Sequence, residues 1–313
     1  MPTTMTEAIR IGTRGSRLAL WQANFVANSL RPFAGGQPVV LIEVQTSGDQ
    51  VRDRPLSEIG GEGVFTKEIQ RALLARSIDV AVHSLKDLPT VPVEGIVLAA
   101  VPQRGPARDA FVSHRYGSVK ELPCGAVVAT SSPRRRAQLL HHRPDLRLVP
   151  IRGNVETRLR KLNEDNIDAL ILAEAGLARL ELRDRITEIL DEEWMLPAVG
   201  QGALGIECRA DDTRLGPLIE QLDHIPTRCA VDAERSLLRS LGGGCNVPIG
   251  AIGQCDGRSL TLQAAVLDPD GKNRIFGQTS GPTERAVELG QALARDLYGR
   301  GAGELLNTRT SLR

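Results

Sequence analysis

Short apolar runs of strand length alternate with segments of helical periodicity over about the first 210 residues of the chain. This alternation predicts an α/β fold with mainly parallel sheets, because parallel strands need a long crossover and a helix usually supplies it. The predicted strands cover residues 9–12, 38–45, 79–83, 126–130, 146–151, 169–173 and 203–208.

The first predicted helix starts at about Ser16. It places Leu18, Trp21 and Phe25 on one face, at positions i, i+3 and i+7. These three side chains are therefore expected to face the core.

The segment 46–63 is polar and glycine-rich and shows no periodicity. A stretch of this length without structure is unusual inside a compact domain, so it is expected to be functional or mobile. A helix over about 65–76 follows it.

The last 90 or so residues have a different pattern. A helix over about 227–241 is followed by three glycines, three strand candidates with a turn at 268–271, and an amphipathic helix over about 283–298. A helix, a group of strands and a second helix predict a small α+β domain.

Two segments rich in proline and glycine, 101–106 and 196–202, are expected to be hinges. Two crossings between α/β lobes would place a ligand-binding cleft between the lobes. The expected domains are residues 1–102 with 203–220, residues 103–202, and residues 221–313.

Charge and composition narrow the range of partners. The net charge of +1 and the 3% of aromatic residues disfavour nucleic-acid binding. No apolar run is long enough to cross a membrane and the N-terminus lacks the pattern of a secretory signal, so a cytoplasmic protein is expected.

The chain has 34 Arg and only 5 Lys. Because Arg holds carboxylates through two parallel hydrogen bonds, an Arg-rich cleft would suit a substrate with several carboxylates.

Cysteine and histidine give no sign of a metal site. The five cysteines are odd in number and show no CxxC spacing, and the five histidines show no HExxH motif. Neither a disulfide framework nor a bound metal is therefore expected.

Three predicted strand-to-helix junctions, at 12–16, 129–136 and 152–158, each contain arginine, and Ser132 and Asn154 are candidate N-caps at the second and third of them. A helix N-terminus offers unpaired N–H groups and partial positive charge, so each junction could receive a carboxylate or phosphate. Such sites would lie at the carboxyl ends of strands, where open α/β sheets bind ligands. For any single junction, ordinary capping with surface arginines is the alternative.

Lys86 and Asp87 stand side by side at the end of a short apolar strand. A carboxylate there could stabilise a cation or move a proton, and a structural ion pair is the alternative.

Cys245 follows the glycines Gly242, Gly243 and Gly244. Such a thiol could be a nucleophile or a covalent anchor, or an incidental cysteine after a glycine-capped helix.

A set of motifs from about residue 9 to 250 resembles the porphobilinogen deaminase (hydroxymethylbilane synthase) family. The resemblance rests on the order of the whole set, since no single motif decides it. The motifs are IGTRGSRLALWQA, SGD…D.PL..IGG.G.F.KE, DVAVHSLKDLP, RDAF, ATSSPRRRAQL, IRGNVETRL, LILAEAGLARL, LPAVGQGALGIECR, AERSLL and LGGGCNVPIGA.

The resemblance implies two periplasmic-binding-protein-like lobes around a cleft, a small α+β third domain, and a monomeric cytoplasmic transferase of heme and porphyrin biosynthesis. Four porphobilinogens would lose ammonia and join head to tail into hydroxymethylbilane. The primer would be a dipyrromethane cofactor joined to Cys245 by a thioether, and the product would pass to uroporphyrinogen-III synthase.

The resemblance also implies roles for individual residues. Asp87 would stabilise positive charge near the pyrrole N–H groups and assist proton transfer. Gly60, Gly61, Glu62, Gly63 and Phe65 would belong to a lid loop. The acetate and propionate arms of cofactor and substrate would be received by Arg14, Ser16, Lys86, Thr130, Ser132, Arg134, Arg135, Arg152, Arg158 and Arg179.

The chain departs from the family pattern at three of these places. Glu62 stands where Lys is common, Pro133 where Leu is common, and Asn246 where Gln is common. The charge of the lid is expected to differ, and the mechanism is not.

Two other functions remain open. A non-catalytic two-lobed anion receptor would explain the hinges and the arginines at helix starts, but not Cys245 or the third domain. An Arg-rich RNA-binding protein would explain the arginines, but the near-neutral charge argues against it.

Overall fold

A computed structural model describes residues 7–46, 63–164, 166–243 and 247–307. The described residues contain thirteen strands. They are β1 (Ile9–Thr13), β2 (Val39–Glu43), β3 (Val80–Ser84), β4 (Ile96–Ala100), β5 (Asp109–Val112), β6 (Val127–Ala129), β7 (Arg147–Val149), β8 (Ala169–Ala173), β9 (Glu188–Ile189), β10 (Leu204–Arg209), β11 (Ile249–Cys255), β12 (Ser259–Leu267) and β13 (Arg274–Pro282).

The same described ranges contain nine α-helices. They are α1 (Arg17–Leu30), α2 (Lys67–Leu74), α3 (Pro133–His142), α4 (Val155–Glu164), α5 (Glu174–Arg179), α6 (Gly216–Glu220), α7 (Ile225–Ser240), α8 (Ala286–Gly299) and α9 (Ala302–Asn307). Within this part of the chain, no helix is both long enough and apolar enough to cross a membrane.

The chain divides into two compact units. The first consists of Met1–Arg104 and Ala203–Arg228, and the second of Gly105–Gly202 and Cys229–Arg313. The unit boundaries follow residues 104, 202 and 228, whereas the expected domain boundaries follow residues 102, 202 and 220. The second unit combines the predicted second and third domains, so the division into three domains stays a prediction.

The first unit is built on a five-stranded sheet with the order β2-β1-β3-β10-β4. Strand β1 is parallel to β2 and β3, whereas β10 is antiparallel to β3 and β4. One face of the sheet packs on α1 and α6 through residues such as Val26, Leu30 and Ile219. The other face packs on α2 through Ile69 and Leu73.

The second unit contains a five-stranded sheet with the order β7-β6-β8-β5-β9. Strands β7, β6 and β8 are parallel, and β5 is antiparallel to β8 and β9. Each five-stranded sheet thus has two parallel and two antiparallel pairings. In each sheet four of the five strands nevertheless run in the same direction, and only β10 or β5 is reversed. These two strands enter their sheets from hinge segments instead of from a crossover helix. The α/β class with mainly parallel strands is confirmed.

The prediction that Leu18, Trp21 and Phe25 form the buried face of the first helix is wrong. Trp21 and Phe25 stack on each other with ring centroids 5.6 Å apart, but they are 37% and 39% exposed. The buried face of α1 is formed instead by Ala19, Gln22, Ala23, Val26, Ala27 and Leu30. Small side chains let the helix approach the sheet closely, and a count of large apolar residues does not detect them.

The C-terminal part of the second unit is an antiparallel sheet with the order β11-β12-β13, packed on α7, α8 and α9. Its β12–β13 turn contains Gly271, which has φ +71°. A Cβ at Gly271 would lie 2.4 Å from the carbonyl oxygen of Ala137 in α3, so this close approach requires glycine. The predicted strands, turn and final helix are therefore present, and α9 is an additional helix.

Candidate functional site

The first junction follows β1 and starts α1. The Ser16 hydroxyl accepts a hydrogen bond from the Ala19 N–H at 3.3 Å, so Ser16 is the N-cap of α1. Arg14 precedes it, and its guanidinium carbon lies 4.1 Å from the centroid of the Phe65 ring. This cation–π contact joins the end of β1 to the segment before α2.

The described end of the predicted lid loop is a glycine turn. Gly63 has φ +80°, and its carbonyl accepts hydrogen bonds from the Thr66 and Lys67 N–H groups at 3.0 Å. Gly60, Gly61 and Glu62 lie outside the described residues, as does Cys245. The roles predicted for these four residues stay predictions.

Lys86 and Asp87 lie in a single 3-10 turn, Leu85–Asp87, which directly follows β3. Both side chains are half-buried. The Leu85 N–H donates to the Ala203 carbonyl at 3.0 Å, which fixes the turn against the start of β10. Asp87 is therefore held at the end of β3, next to the start of β10.

A buried polar cluster joins β3 to its neighbouring elements. His83 Nε2 on β3 lies 3.0 Å from Glu207 Oε2 on β10. Gln70 on α2 donates to both Glu207 carboxylate oxygens at 3.1 Å. The cluster therefore ties α2 to the two strands that hold the Asp87 turn.

The second junction follows β6 and starts α3. Ser132 is its N-cap and accepts from the Arg135 N–H at 3.5 Å, with Pro133 at the first helical position. The Thr130 hydroxyl accepts from the Ser132 N–H at 3.2 Å. Both predicted hydroxyl groups thus lie at the helix N-terminus.

Arg134 and Arg135 occupy the first turn of α3, but their side chains are buried and not open to solvent. Arg134 NH1 donates to Asp109 Oδ2 at 2.7 Å, and Arg135 NH2 donates to Asp109 Oδ1 at 2.7 Å. These contacts give both side chains a protein partner that was not predicted. Direct binding of a ligand carboxylate by either one stays a prediction.

The third junction follows β7 and starts α4. The Asn154 side chain accepts from the Thr157 N–H at 2.8 Å, which confirms the predicted cap. Arg158 Nε donates to the Gly153 carbonyl at 2.9 Å. One guanidinium nitrogen of Arg152, NH1, is buried and has no hydrogen-bond partner among the described residues. A buried donor without an acceptor is costly, so this nitrogen is suited to an anionic ligand.

Arg179 is the last residue of α5, the helix that follows β8. Its NH2 donates to the Gly202 carbonyl at 2.7 Å. Burial lowers the pKa of the Arg179 guanidinium to about 10, because the charged form loses hydration. A carboxylate ligand would compensate for that loss.

Within each unit, the described candidates share one edge of a sheet. In the first unit, Arg14 and Ser16 follow β1 and the Asp87 turn follows parallel strand β3. In the second unit, the candidates follow β6, β7 and β8, which are mutually parallel. The candidates of the second unit are Thr130, Ser132, Arg134, Arg135, Arg152, Arg158 and Arg179.

The donors at each of these edges are suited to anions. Guanidinium groups, hydroxyl groups and helix N-termini can bind carboxylates, and a carboxylate such as that of Asp87 can act as a base or a fixed negative charge. Within the described ranges, no three His, Cys, Asp or Glu side chains lie together in a way that could hold a metal ion. The sequence analysis did not single out Asp109, the partner of Arg134 and Arg135, although the RDAF motif contains it.

Several solved structures show a partial likeness to the chain. A periplasmic substrate-binding protein of an ABC transporter from Coxiella burnetii has a TM-score of 0.43 and 16% identity, covering 68% of this chain and 91% of the other. The methionine-binding protein MetQ has a TM-score of 0.43 and 14% identity, covering 69% and 89%. At these scores, the likenesses add nothing to what the strands and helices themselves show.

Sequence comparison identifies the family. Residues 9–216 match the family model described as "Porphobilinogen deaminase, dipyromethane cofactor binding domain", and residues 228–299 match "Porphobilinogen deaminase, C-terminal domain". The porphobilinogen deaminase of Desulforudis audaxviator is 51% identical over 96% of this chain and 98% of its own length. That of Trichlorobacter lovleyi is 49% identical over 95% of each chain. The chain belongs to the porphobilinogen deaminase family.

Proposed function

We propose that this chain is a hydroxymethylbilane synthase, a transferase of tetrapyrrole biosynthesis. It would join four porphobilinogen molecules head to tail, with loss of one ammonia for each, on a covalently bound dipyrromethane. The observation that carries the proposal is the alignment of cationic and hydroxyl groups along the carboxyl ends of parallel strands, together with Asp87 at the end of β3.

The described residues fit a dipyrromethane cofactor. Each pyrrole carries an acetate and a propionate, so the ligand presents several carboxylates close together. The Arg152 NH1 donor is buried without a partner among the described residues, and Arg179 is a desolvated cation. An anionic ligand would supply an acceptor for Arg152 NH1 and a negative charge beside Arg179. When bound, the cofactor supplies the pyrrole carbon to which the substrate units are joined.

Different residues of the protein would then have different roles in the reaction. The arginines and the helix N-termini hold and orient the carboxylate arms, which brings the reacting carbon atoms together. Asp87 would face the ring N–H groups, stabilise positive charge that develops there, and move a proton. Cys245 would hold the cofactor through its sulfur atom.

Several further features belong to the proposal. The expected arrangement is a monomer of three domains that works in the cytoplasm and binds no nucleic acid or membrane. The linear product would go to uroporphyrinogen-III synthase. The chain aligns with relatives named porphobilinogen deaminase over almost their whole length, which supports transfer of the substrate class.

The test is the intact mass of the purified protein and of two variants. We expect the wild-type protein to exceed the mass of its sequence by two pyrrole units. Cys245→Ser should lose both the added mass and the activity. Cys124→Ser, which changes an exposed cysteine, should keep both.

Two results would overturn the proposal. One is wild-type protein with the mass of its sequence alone that gains no adduct when given porphobilinogen, as an anion receptor would behave. The other is a Cys245→Ser variant that keeps the added mass.

A further inference from the structure

Asp109 is a fully buried carboxylate held between two consecutive arginines. Its side chain is 0% exposed, and those of Arg134 and Arg135 are 4% and 7% exposed. Arg134 NH1 donates to Oδ2 at 2.7 Å, while Arg135 Nε and NH2 donate to Oδ1 at 3.0 and 2.7 Å. Each arginine is thereby fixed in one orientation.

The cluster keeps one positive charge. Burial by itself raises the pKa of the Asp109 carboxyl, but the charges of Arg134 and Arg135 and their hydrogen bonds outweigh it, so the pKa lies well below its ordinary value. Asp109 is therefore ionised, and its one negative charge offsets one of the two guanidinium charges. Buried ion pairs add little net stability, since desolvation offsets their attraction. Stability alone is therefore a weak reason for this cluster.

The cluster also connects α3 to the segment that ends at Gly202. Arg134 NH1 donates to the Leu196 carbonyl at 2.6 Å. Gln201 Nε2 donates to Asp109 Oδ1 at 2.9 Å and to the Ala107 carbonyl at 2.7 Å. The next residue, Gly202, accepts the hydrogen bond from Arg179. Three candidate ligand-binding arginines therefore belong to one bonded network.

One donor in this network has no partner. The Nε of Arg134 is buried and makes no hydrogen bond among the described residues, while its NH1 is committed to Asp109 and Leu196. Because NH1 is fixed, the direction of this Nε–H bond is fixed as well. Arg152 NH1, which follows the neighbouring strand β7, is likewise buried and has no hydrogen-bond partner among the described residues.

We propose that Asp109 is a positioning residue for the cofactor: it orients Arg134 and Arg135 and sets their joint charge, so that they receive the carboxylates of the dipyrromethane. The proposal rests on the proposed function. Asp109 acts through the arginines and does not touch the ligand. Without it, two like charges would repel each other in a dry site and lose their common orientation.

The chain contains a matched control in the first unit. Asp79 is also buried and also lies between two arginines. It accepts from Arg10 Nε and NH2 at 2.9 Å and from Arg209 NH2 at 3.2 Å. Neither arginine is a candidate for ligand binding. Asp79→Asn therefore reproduces the loss of a buried ion pair without the proposed role.

The experiment follows the gain of mass when apo-protein, produced without porphobilinogen, is given porphobilinogen. We expect Asp79→Asn and Asp109→Asn to lower the melting temperature similarly. Only Asp109→Asn should slow cofactor loading, by roughly tenfold or more, as expected for a lost charge-assisted contact. In protein that does load, KM for porphobilinogen should rise while kcat changes little.

A second pair of variants covers a failure of Asp109→Asn to fold. Asp109→Glu keeps the charge but moves the carboxylate by one methylene, and Asp79→Glu is its control. We expect slower loading for Asp109→Glu only. If Asp109→Asn or Asp109→Glu loads as fast as its Asp79 counterpart, the positioning role is wrong. If the wild-type protein gains no mass at all, it is the proposed function that fails.

Discussion

The guanidinium group of Arg14 lies over the ring of Phe65, with its central carbon 4.1 Å from the ring centroid. Arg14 follows β1 in sequence and Phe65 precedes α2, so the contact joins two segments that the polar stretch 46–63 separates. A cation–π contact uses the flat face of a guanidinium, whereas hydrogen bonds form at its edge. Phe65 is therefore expected to fix the orientation of Arg14, which the proposed function assigns to a carboxylate arm.

Phe65→Leu should weaken substrate binding with little loss of stability. Leucine retains the apolar volume but has no π face, and a cation–π contact is worth about 0.5–2 kcal/mol. We expect KM for porphobilinogen to rise by roughly three- to tenfold, with kcat and melting temperature nearly unchanged. Steady-state kinetics with porphobilinogen measures both constants.

The control is a second cation–π pair, Arg115 over Tyr116, at 5.8 Å. Neither residue is a candidate for the site, so Tyr116→Leu should leave KM unchanged. An unchanged KM in Phe65→Leu would show that the ring does not orient Arg14.

Asp87→Asn should abolish most of the activity and leave the fold intact. The asparagine has nearly the same shape but neither negative charge nor basic oxygen, and a fixed charge in an active site is worth several kcal/mol to a transition state. We expect kcat to fall by roughly 100-fold or more, with the melting temperature within about 2 °C of the wild type. Asp211→Asn, at a side chain that is 66% exposed and paired with Arg76, is the control and should be silent. Near-normal turnover by Asp87→Asn would remove Asp87 from the mechanism.

Arg179→Lys should make substrate binding sensitive to pH. Burial lowers the pKa of Arg179 to about 10, which still leaves it charged at neutral pH. Lysine has a lower ordinary pKa than arginine, so the same burial brings the pKa of the lysine closer to neutral pH. A lowered pKa of a cation means that the charge is present below that pKa and lost as the pH rises through it. We therefore expect KM of the variant to rise between pH 7 and 9, while wild-type KM stays nearly constant.

The control for Arg179→Lys is Arg183→Lys, which changes an exposed arginine of the same unit. Its KM should follow the wild-type profile. A flat profile for Arg179→Lys over the same range would mean that the side chain does not contribute its charge to binding.

Gly202→Ala should destabilise the second unit more than an ordinary glycine substitution. Gly202 has φ +84°, and a Cβ would lie 2.6 Å from the carbonyl oxygens of Gly105 and Pro106. Gly125 has a similar φ of +77° but open space around its Cβ position, so Gly125→Ala isolates the cost of the left-handed backbone, about 1–2 kcal/mol. We expect the melting temperature of Gly202→Ala to lie at least about 5 °C below that of Gly125→Ala. Equal melting temperatures would show that the backbone shifts to accept the methyl group.

The features that the sequence predicted correctly are local ones. Ser132 and Asn154 cap their helices as predicted, because a cap depends on a hydrogen bond to a residue three positions away. The strands at 9–13 and 169–173 follow from short apolar runs for the same reason. The resemblance to the family then implied binding or catalytic roles for residues at the ends of these strands.

The features that were missed depend on distant residues. Asp109 pairs with arginines 25 and 26 positions later, and Gln201 reaches it from 92 positions away, so no spacing rule reveals the cluster. The exposure of Trp21 likewise depends on which residues the sheet presents to α1. The direction of β10 depends on how the chain returns from the second unit.

Strand β10 lies between β3 and β4 in the first sheet, although about a hundred residues of chain separate β4 from it. During synthesis, the ribosome would therefore release the whole 105–202 segment before the first sheet could close. Until residue 209 emerges, β3 and β4 have no common neighbour and present open hydrogen-bonding edges. The nascent chain is thus expected to complete its middle segment first, and to depend most on chaperones while the Asp87-bearing sheet still lacks the strand between β3 and β4.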